Sequence, residues 1–125
     1  MQIAMIGTGY VGLVTGACFS EFGAVVTCVD SDNLKIEKLN NGGIPIFEPG
    51  LETLVRNNVN AGRLNFSCDL KSAVAKSDAV FIAVGTPSRR GDGHADLSYV
   101  FSAAKEIASA LDGYTLVVTK STVPV

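Results

Sequence analysis

The residues whose types and spacing can do chemistry lie near the amino end, in Gly7-Thr8-Gly9-Tyr10-Val11-Gly12, and further on at Asp30. The first set has the G-x-G-x-x-G spacing and falls between a strand pattern and a helix pattern. In that setting Gly7 permits the tight turn, Gly9 lets the backbone approach a pyrophosphate, and Gly12 lets the helix pack closely. The free N–H groups and the positive dipole end of the helix then hold phosphates without any lysine. Asp30 ends the second strand pattern, about 20 residues on, where a carboxylate accepts hydrogen bonds from the adenosine ribose hydroxyls. The same charge repels a 2′-phosphate, so the pair of features favours NAD over NADP. A glycine turn alone would serve a plain strand-to-helix connection, a flavin or S-adenosylmethionine equally well. A capping role for Asp30 is the weaker reading, because Asp32 is better placed to cap the next helix.

Two later loops offer hydroxyls and amides to a ribose or a nicotinamide amide: Gly85-Thr86-Pro87 and Lys120-Ser121-Thr122. From spacing alone, ordinary turn chemistry explains them as well as ligand binding does. Cys18, Cys28 and Cys68 form no C-x-x-C pair, are odd in number, and fit neither a disulfide framework nor a zinc site. Cys18 falls on the apolar face expected for the first helix, Cys28 inside the second strand run and Cys68 at the end of the third, which makes an inert packing role the expectation. His94, the single histidine, stands in a polar loop with no acid or nucleophile beside it. No catalytic residue and no metal ligand is expected among these side chains.

The elements that must position these groups follow from hydrophobic pattern. Five continuous apolar runs, Ile3–Ile6, Val25–Val29, Leu64–Ser67, Ala79–Val84 and Tyr114–Thr119, predict strands covered on both faces, as in a parallel sheet. Helical spacing fills the intervals. Val11, Val14, Cys18 and Phe22 suggest one helix face, stopped by Gly23. Asp32 caps a helix carrying Ile36 and Leu39, which Gly42 and Gly43 end. Pro49 suits a first helical position before Leu51, Leu54, Val55 and Val59. Asp69 caps a helix with Leu70, Ala73 and Val74. Asp96 caps the longest stripe, Leu97, Val100, Phe101, Ala104, Ile107, Ala108 and Leu111. Alternating strands and helices predict a Rossmann-type doubly wound α/β fold with strand order 3-2-1-4-5 and helices on both faces. Its ligand crevice lies at the carboxyl ends of the first and fourth strands. The polar loop from Ser88 to Ala95 is the segment where mobility is expected.

The bulk properties narrow the class of partner. The 125 residues suit one domain, and 47% hydrophobic with 18% charged residues describes a chain that folds. A net charge of −2 gives no electrostatic footprint for nucleic acid. No apolar run approaches the ~18 residues of a membrane span, and the apolar start lacks the basic leader of a signal peptide. The unpaired cysteines suggest a reducing, cytoplasmic location.

Taken together, Ile6–Leu13 (IGTGYVGL), Pro45–Leu51 (PIFEPGL), Val84–Pro87 (VGTP), Ala95–Val100 (ADLSYV) and Lys120–Val125 (KSTVPV), in this order, resemble the amino-terminal NAD-binding domain of the UDP-glucose/GDP-mannose dehydrogenase family. The resemblance spans the whole chain, so residues 1–125 are expected to be that domain, preceding the family's central helix and substrate domain. It implies oxidation of a nucleotide-sugar C6 alcohol to a carboxylate, with two NAD reduced in succession and the intermediate aldehyde captured by a cysteine thiolate. UDP-glucose is the implied substrate, with GDP-mannose or a UDP-N-acetyl sugar as alternatives. It implies NAD contacts from Gly7, Thr8, Gly9, Tyr10, Val11, Gly12, Asp30, Lys35, Thr86 and Thr122, and a homodimer for the full-length family member. The family's nucleophile stands in a Gly-Gly-x-Cys-x-Pro-Lys segment, which does not occur among these residues. A non-catalytic module that senses NAD or another adenine nucleotide is the competing class; such a module has no need of the VGTP, ADLSYV and KSTVPV segments.

Overall fold

In the computed structural model, which describes residues 1–123, five parallel strands form one sheet: β1 (Gln2–Ile6), β2 (Val25–Val29), β3 (Leu64–Ser67), β4 (Ala79–Ile82) and β5 (Leu116–Thr119). The order across the sheet is β3-β2-β1-β4-β5, as the sequence pattern predicts. The chain therefore builds outward from β1 to β3, then crosses to the other side of β1. That reversal leaves a crevice above the carboxyl ends of β1 and β4. Met5 stands opposite Cys28 of β2 on one side and Phe81 of β4 on the other, so the central strand carries both registers.

The three central strands, β2, β1 and β4, present alternate side chains to two apolar layers. Ile3 and Met5 join Leu13, Ala17, Val26, Cys28, Ile36, Leu51 and Val55 on one face. Ala4 and Ile6 join Val29, Val74, Val80, Ile82, Val100 and Ile107 on the other. A fully buried side chain such as Met5 or Leu13 contributes roughly 1.5–3 kcal/mol. The first layer is roofed by α1 (Tyr10–Glu21), α2 (Asn33–Asn40) and α3 (Leu51–Asn60), and the second by α4 (Leu70–Ala75) and α5 (Ser98–Ala110).

The helix starts and stops hold in part. Asp32 accepts from the amides of Leu34 and Lys35, and Asp69 from that of Ser72, so both cap as expected. Gly23 follows α1 with φ +104°, a left-handed conformation that suits a helix stop. Pro49 is not helical: Gly50, at φ +83°, turns the chain first and α3 begins at Leu51. Asp96 lies one residue before the cap position of α5, which Leu97 occupies, yet its Oδ1 still accepts from the Ser98 amide. β4 ends at Ile82 and β5 starts at Leu116, both shorter than their apolar runs.

The face of α1 differs from expectation. Val11 and Phe22 are exposed, while Gly12, Leu13, Gly16, Ala17 and Ser20 are buried. The cause is closeness of approach: a Cβ on Gly16 would stand 2.8 Å from Cys28 Sγ. Small residues, rather than large apolar ones, therefore mark the side against the sheet. A similar correction applies to α5, which buries Val100, Ala103 and Ile107 but leaves Phe101, Ala104, Ala108 and the following Leu111 exposed. Exposure continues along β5 at Leu116 and Val117.

Candidate functional site

A cleft of about 860 Å³ opens along the carboxyl edge of the sheet, within the size range of small-ligand sites. All ten residues expected at a cofactor site except Gly12 form its wall: Gly7, Gly9, Tyr10 and Val11 at the turn with Thr8 beneath them, its side chain without exposed surface, Asp30 and Lys35 on one side, Thr86 and Thr122 on the other. Gly12 sits just behind.

The turn is built by division of labour among its glycines. Gly7 has φ +109°, and a Cβ there would run into the Ala83 carbonyl oxygen of the chain leaving β4. A Cβ on Gly12 would run into the carbonyl oxygen of Gly7 itself, so Gly12 is needed to let α1 start against the turn. Gly9 is different, since its φ of −73° suits any residue and a Cβ would meet nothing within 4 Å. Open space at Gly9 is what a ligand approaching the backbone requires.

The amides divide likewise. The Gly7 amide donates to the Val29 carbonyl at 2.7 Å and the Thr8 amide to Asp30 Oδ2 at 3.0 Å. Those of Gly9, Tyr10, Val11 and Gly12 have no acceptor among the described residues. Four unpaired N–H groups at a helix start form a receptor for an anion.

Asp30 closes the other side. Its Oδ2 accepts from the Thr8 hydroxyl at 2.7 Å and stands 3.7 Å from Lys35 Nζ, while Oδ1 accepts from the Asp32 amide at 3.0 Å. Burial pushes the carboxyl up, but the Thr8 hydroxyl, the two amides and the Lys35 ammonium pull it down, and the balance leaves it below the usual carboxylate value. Asp30 is thus an ionised acceptor held in one orientation.

The opposite wall carries fewer fixed bonds. Ser121 is spent on structure, its hydroxyl donating to the Val84 carbonyl at 2.7 Å and its amide to that of Ile82 at 3.0 Å. Its bonds tie the end of β5 to the loop after β4, leaving Thr86 half-buried and Thr122 exposed on the cleft. Tyr99, Ser102 and Glu106 of α5 and Leu70 of α4 also line the cleft, and sequence pattern assigned none of these four a place in the site. The signal available was topological, because helices that follow β3 and β4 begin at the same edge as the glycine turn. Tyr10 reaches sideways, its hydroxyl donating to Glu48 Oε2 at 3.2 Å in the PIFEPGL segment.

Of the cysteines, Cys28 is buried and its thiol is pushed up to about 12 by burial, which makes it inert. Cys18 is only partly buried. Cys68 departs from the packing role expected of it, being exposed on the cleft wall beside Leu70. His94 is exposed in a hairpin-like loop closed by the Ser88–Ala95 bridge, outside the cleft. Among the described residues no group of three acidic, His or Cys side chains is arranged to hold a metal, and no helix is long and apolar enough to cross a membrane.

Comparison with known proteins specifies the ligand. The chain is 70% identical over 125 residues to a UDP-glucose 6-dehydrogenase of Rhizobium meliloti, covering all of this chain and 29% of that protein. It is 56% identical over 124 residues to the UDP-glucose 6-dehydrogenase TuaD of Bacillus subtilis, covering 99% of this chain and 27% of that one. Among solved structures, a GDP-mannose dehydrogenase of Pseudomonas aeruginosa superposes with TM-score 0.93 at 43% identity, over 98% of this chain and 29% of that chain. The chain thus spans less than a third of the length of these relatives. Residues 1–125 match the family described as UDP-glucose/GDP-mannose dehydrogenase family, NAD binding domain. The crevice at the β1–β4 switch point, with unpaired amides on one side and an ionised acceptor on the other, belongs to a chain that is a member of the UDP-glucose/GDP-mannose dehydrogenase family and forms its NAD-binding domain.

Proposed function

We propose that this chain provides the NAD site of a UDP-glucose 6-dehydrogenase, an enzyme that oxidises UDP-glucose to UDP-glucuronate for polysaccharide synthesis. The observation that carries the cofactor half is the pairing of four unpaired amides at the start of α1 with the fixed carboxylate of Asp30. The Gly9, Tyr10, Val11 and Gly12 amides take the pyrophosphate, and Asp30 takes the adenosine ribose. Gly7 shapes the turn, Lys35 balances the local charge, and Thr86 and Thr122 face the nicotinamide half. When bound, NAD supplies the hydride acceptor. The chain's own part is to bind it, to orient it, and to exclude a 2′-phosphate.

The 70% identity to the Rhizobium meliloti enzyme supports UDP-glucose over GDP-mannose as the substrate. On this reading residues 1–125 precede a central helix and a substrate domain, and the whole protein is a cytoplasmic homodimer acting on a small nucleotide sugar, without nucleic-acid or membrane partners. A net charge of −2 and three free cysteines support that setting.

The test is NADH formation by the whole protein with NAD and UDP-glucose, GDP-mannose or UDP-N-acetyl sugars in parallel. Turnover of UDP-glucose above the others is expected, and preference for GDP-mannose would overturn the substrate assignment. Residues 1–125 alone are expected to bind NAD without turnover. Thiolate capture needs a nucleophile held against the substrate, and a sugar nucleotide usually lies between domains.

A further inference from the structure

Thr8 has no exposed surface, so its hydroxyl depends on a partner within the protein. It finds one just beyond the neighbouring strand β2, donating to Asp30 Oδ2 at 2.7 Å, and its amide donates to the same oxygen at 3.0 Å. With Lys35 Nζ at 3.7 Å as well, Oδ2 is fully engaged. Oδ1 accepts one protein bond, from Asp32, and keeps capacity for a ligand in the cleft. A carboxylate torsion is broad and roughly two-fold when nothing holds it. Two donors from one residue on the same oxygen remove that freedom.

We infer that Thr8 is a positioning residue for cofactor choice: by engaging Oδ2 of Asp30 with both hydroxyl and amide, it presents Oδ1 to the adenosine ribose of an unphosphorylated dinucleotide while its own side chain touches no ligand. The inference rests on the proposed role of Asp30 as the ribose acceptor. Threonine at this place in the turn thereby acts on specificity rather than on the turn, whose geometry Gly7 and Gly12 already secure. The Thr8 hydroxyl is also the largest influence holding the Asp30 carboxyl down against the opposing effect of burial. The charged or titratable groups around Asp30 are Lys35 and Asp32 from α2 and its cap, and Cys68 after β3. Tyr10 at the turn and Glu106 and Lys120 across the cleft complete the set.

The experiment measures NAD and NADP affinity of the intact protein from neutral pH down through the carboxylate range, for the parent, Thr8→Val, Thr8→Ala, Thr8→Ser and Asp30→Ala. Thr8→Val removes the hydroxyl at nearly constant shape. It is expected to bind NAD about tenfold more weakly, the scale of one charge-assisted hydrogen bond. The preference for NAD over NADP should narrow, since an unanchored carboxylate can turn aside and leave Lys35 to a 2′-phosphate. The acid limb of the NAD-binding curve should move to higher pH, which a purely structural threonine would not cause. Thr8→Ser should restore all three. Thr8→Ala removes the hydroxyl without added bulk and gives the same reading if Thr8→Val does not fold. A folded Thr8→Val or Thr8→Ala with parental affinity, preference and pH curve, alongside an Asp30→Ala that loses NAD, overturns the inference alone. An Asp30→Ala that binds NAD like the parent overturns the underlying assignment of Asp30.

Discussion

The two walls of the cleft are built on different principles. At the end of β2 both carboxylate oxygens of Asp30 are held in place, Oδ2 by Thr8 and Lys35 and Oδ1 by one bond from Asp32. At the ends of β4 and β5, Ser121 alone is fixed, while the side chains of Thr86 and Thr122 make no hydrogen bond with the described residues. The first wall is preorganised, so a ligand that meets it loses little entropy on binding. The second offers hydroxyls that must be ordered when the ligand arrives. Affinity should therefore be concentrated at the turn and at Asp30, and thinly spread across the later loops.

The largest effect expected from this contrast is at Gly9. Gly9→Val places a side chain in the space proposed for the pyrophosphate, and because a Cβ there would meet nothing within 4 Å, the fold is expected to survive. NAD binding should fall by more than about a hundredfold, the combined loss of several amide contacts, with an unchanged circular dichroism spectrum. Gly12→Val is the control, since its side chain would strike Gly7 and the melting temperature should drop. Normal NAD binding by Gly9→Val would move the dinucleotide elsewhere.

Asp30→Ala comes next, with a loss of about 1–3 kcal/mol in NAD affinity and little change toward NADP, read by parallel titrations. Equal affinity of the parent for the two cofactors would break the assignment. The sign with pH is fixed by the depressed carboxyl of Asp30. Its contribution to the fold is present above the carboxyl's unfolded-state value and is lost as pH falls through the lower folded-state one. Chemical denaturation measured at descending pH should show that loss, and Asp30→Ala should flatten it.

Smaller again is Thr86→Ala on the open wall, where about a threefold to tenfold weakening is expected, the scale of one neutral hydrogen bond. A loss as large as that of Asp30→Ala would erase the contrast between the walls. The mildest test is chemical labelling. Cys68 should react with an alkylating reagent and be slowed by NAD, whereas Cys28, buried and with its thiol pushed up to about 12, should react only on unfolding. Mass spectrometry of the labelled peptides decides it.

How far each wall was legible in the sequence follows the same division. The turn and Asp30 were readable because their chemistry is local: glycines at fixed offsets and an acid at a strand end. Sheet order was readable because continuous apolar runs alternate with helical periods. The Thr8–Asp30 bond was not, because it joins the segments that follow two neighbouring strands and depends on register and burial that spacing does not encode. The buried face of α1 was misassigned for a related reason. Hydrophobic spacing weights large residues, whereas a helix pressed against a sheet selects Gly16 and Ala17 for closeness. Ser102 and Glu106 were missed because they lie on the polar side of α5 beyond any motif, and Tyr99 because it falls within the ADLSYV segment without a role assigned to it.

The exposed apolar strip along α5 and β5 has a consequence for how the 125-residue chain is handled. β5 is paired only with β4 among the described strands, so its outer edge offers unsatisfied backbone groups beside Leu116 and Val117. Such an edge is a template for another chain. Heating the isolated segment should accordingly be a race between refolding and self-association. Its apparent melting temperature should fall as protein concentration rises and shift with scan rate, so the number obtained is a lifetime rather than an equilibrium stability.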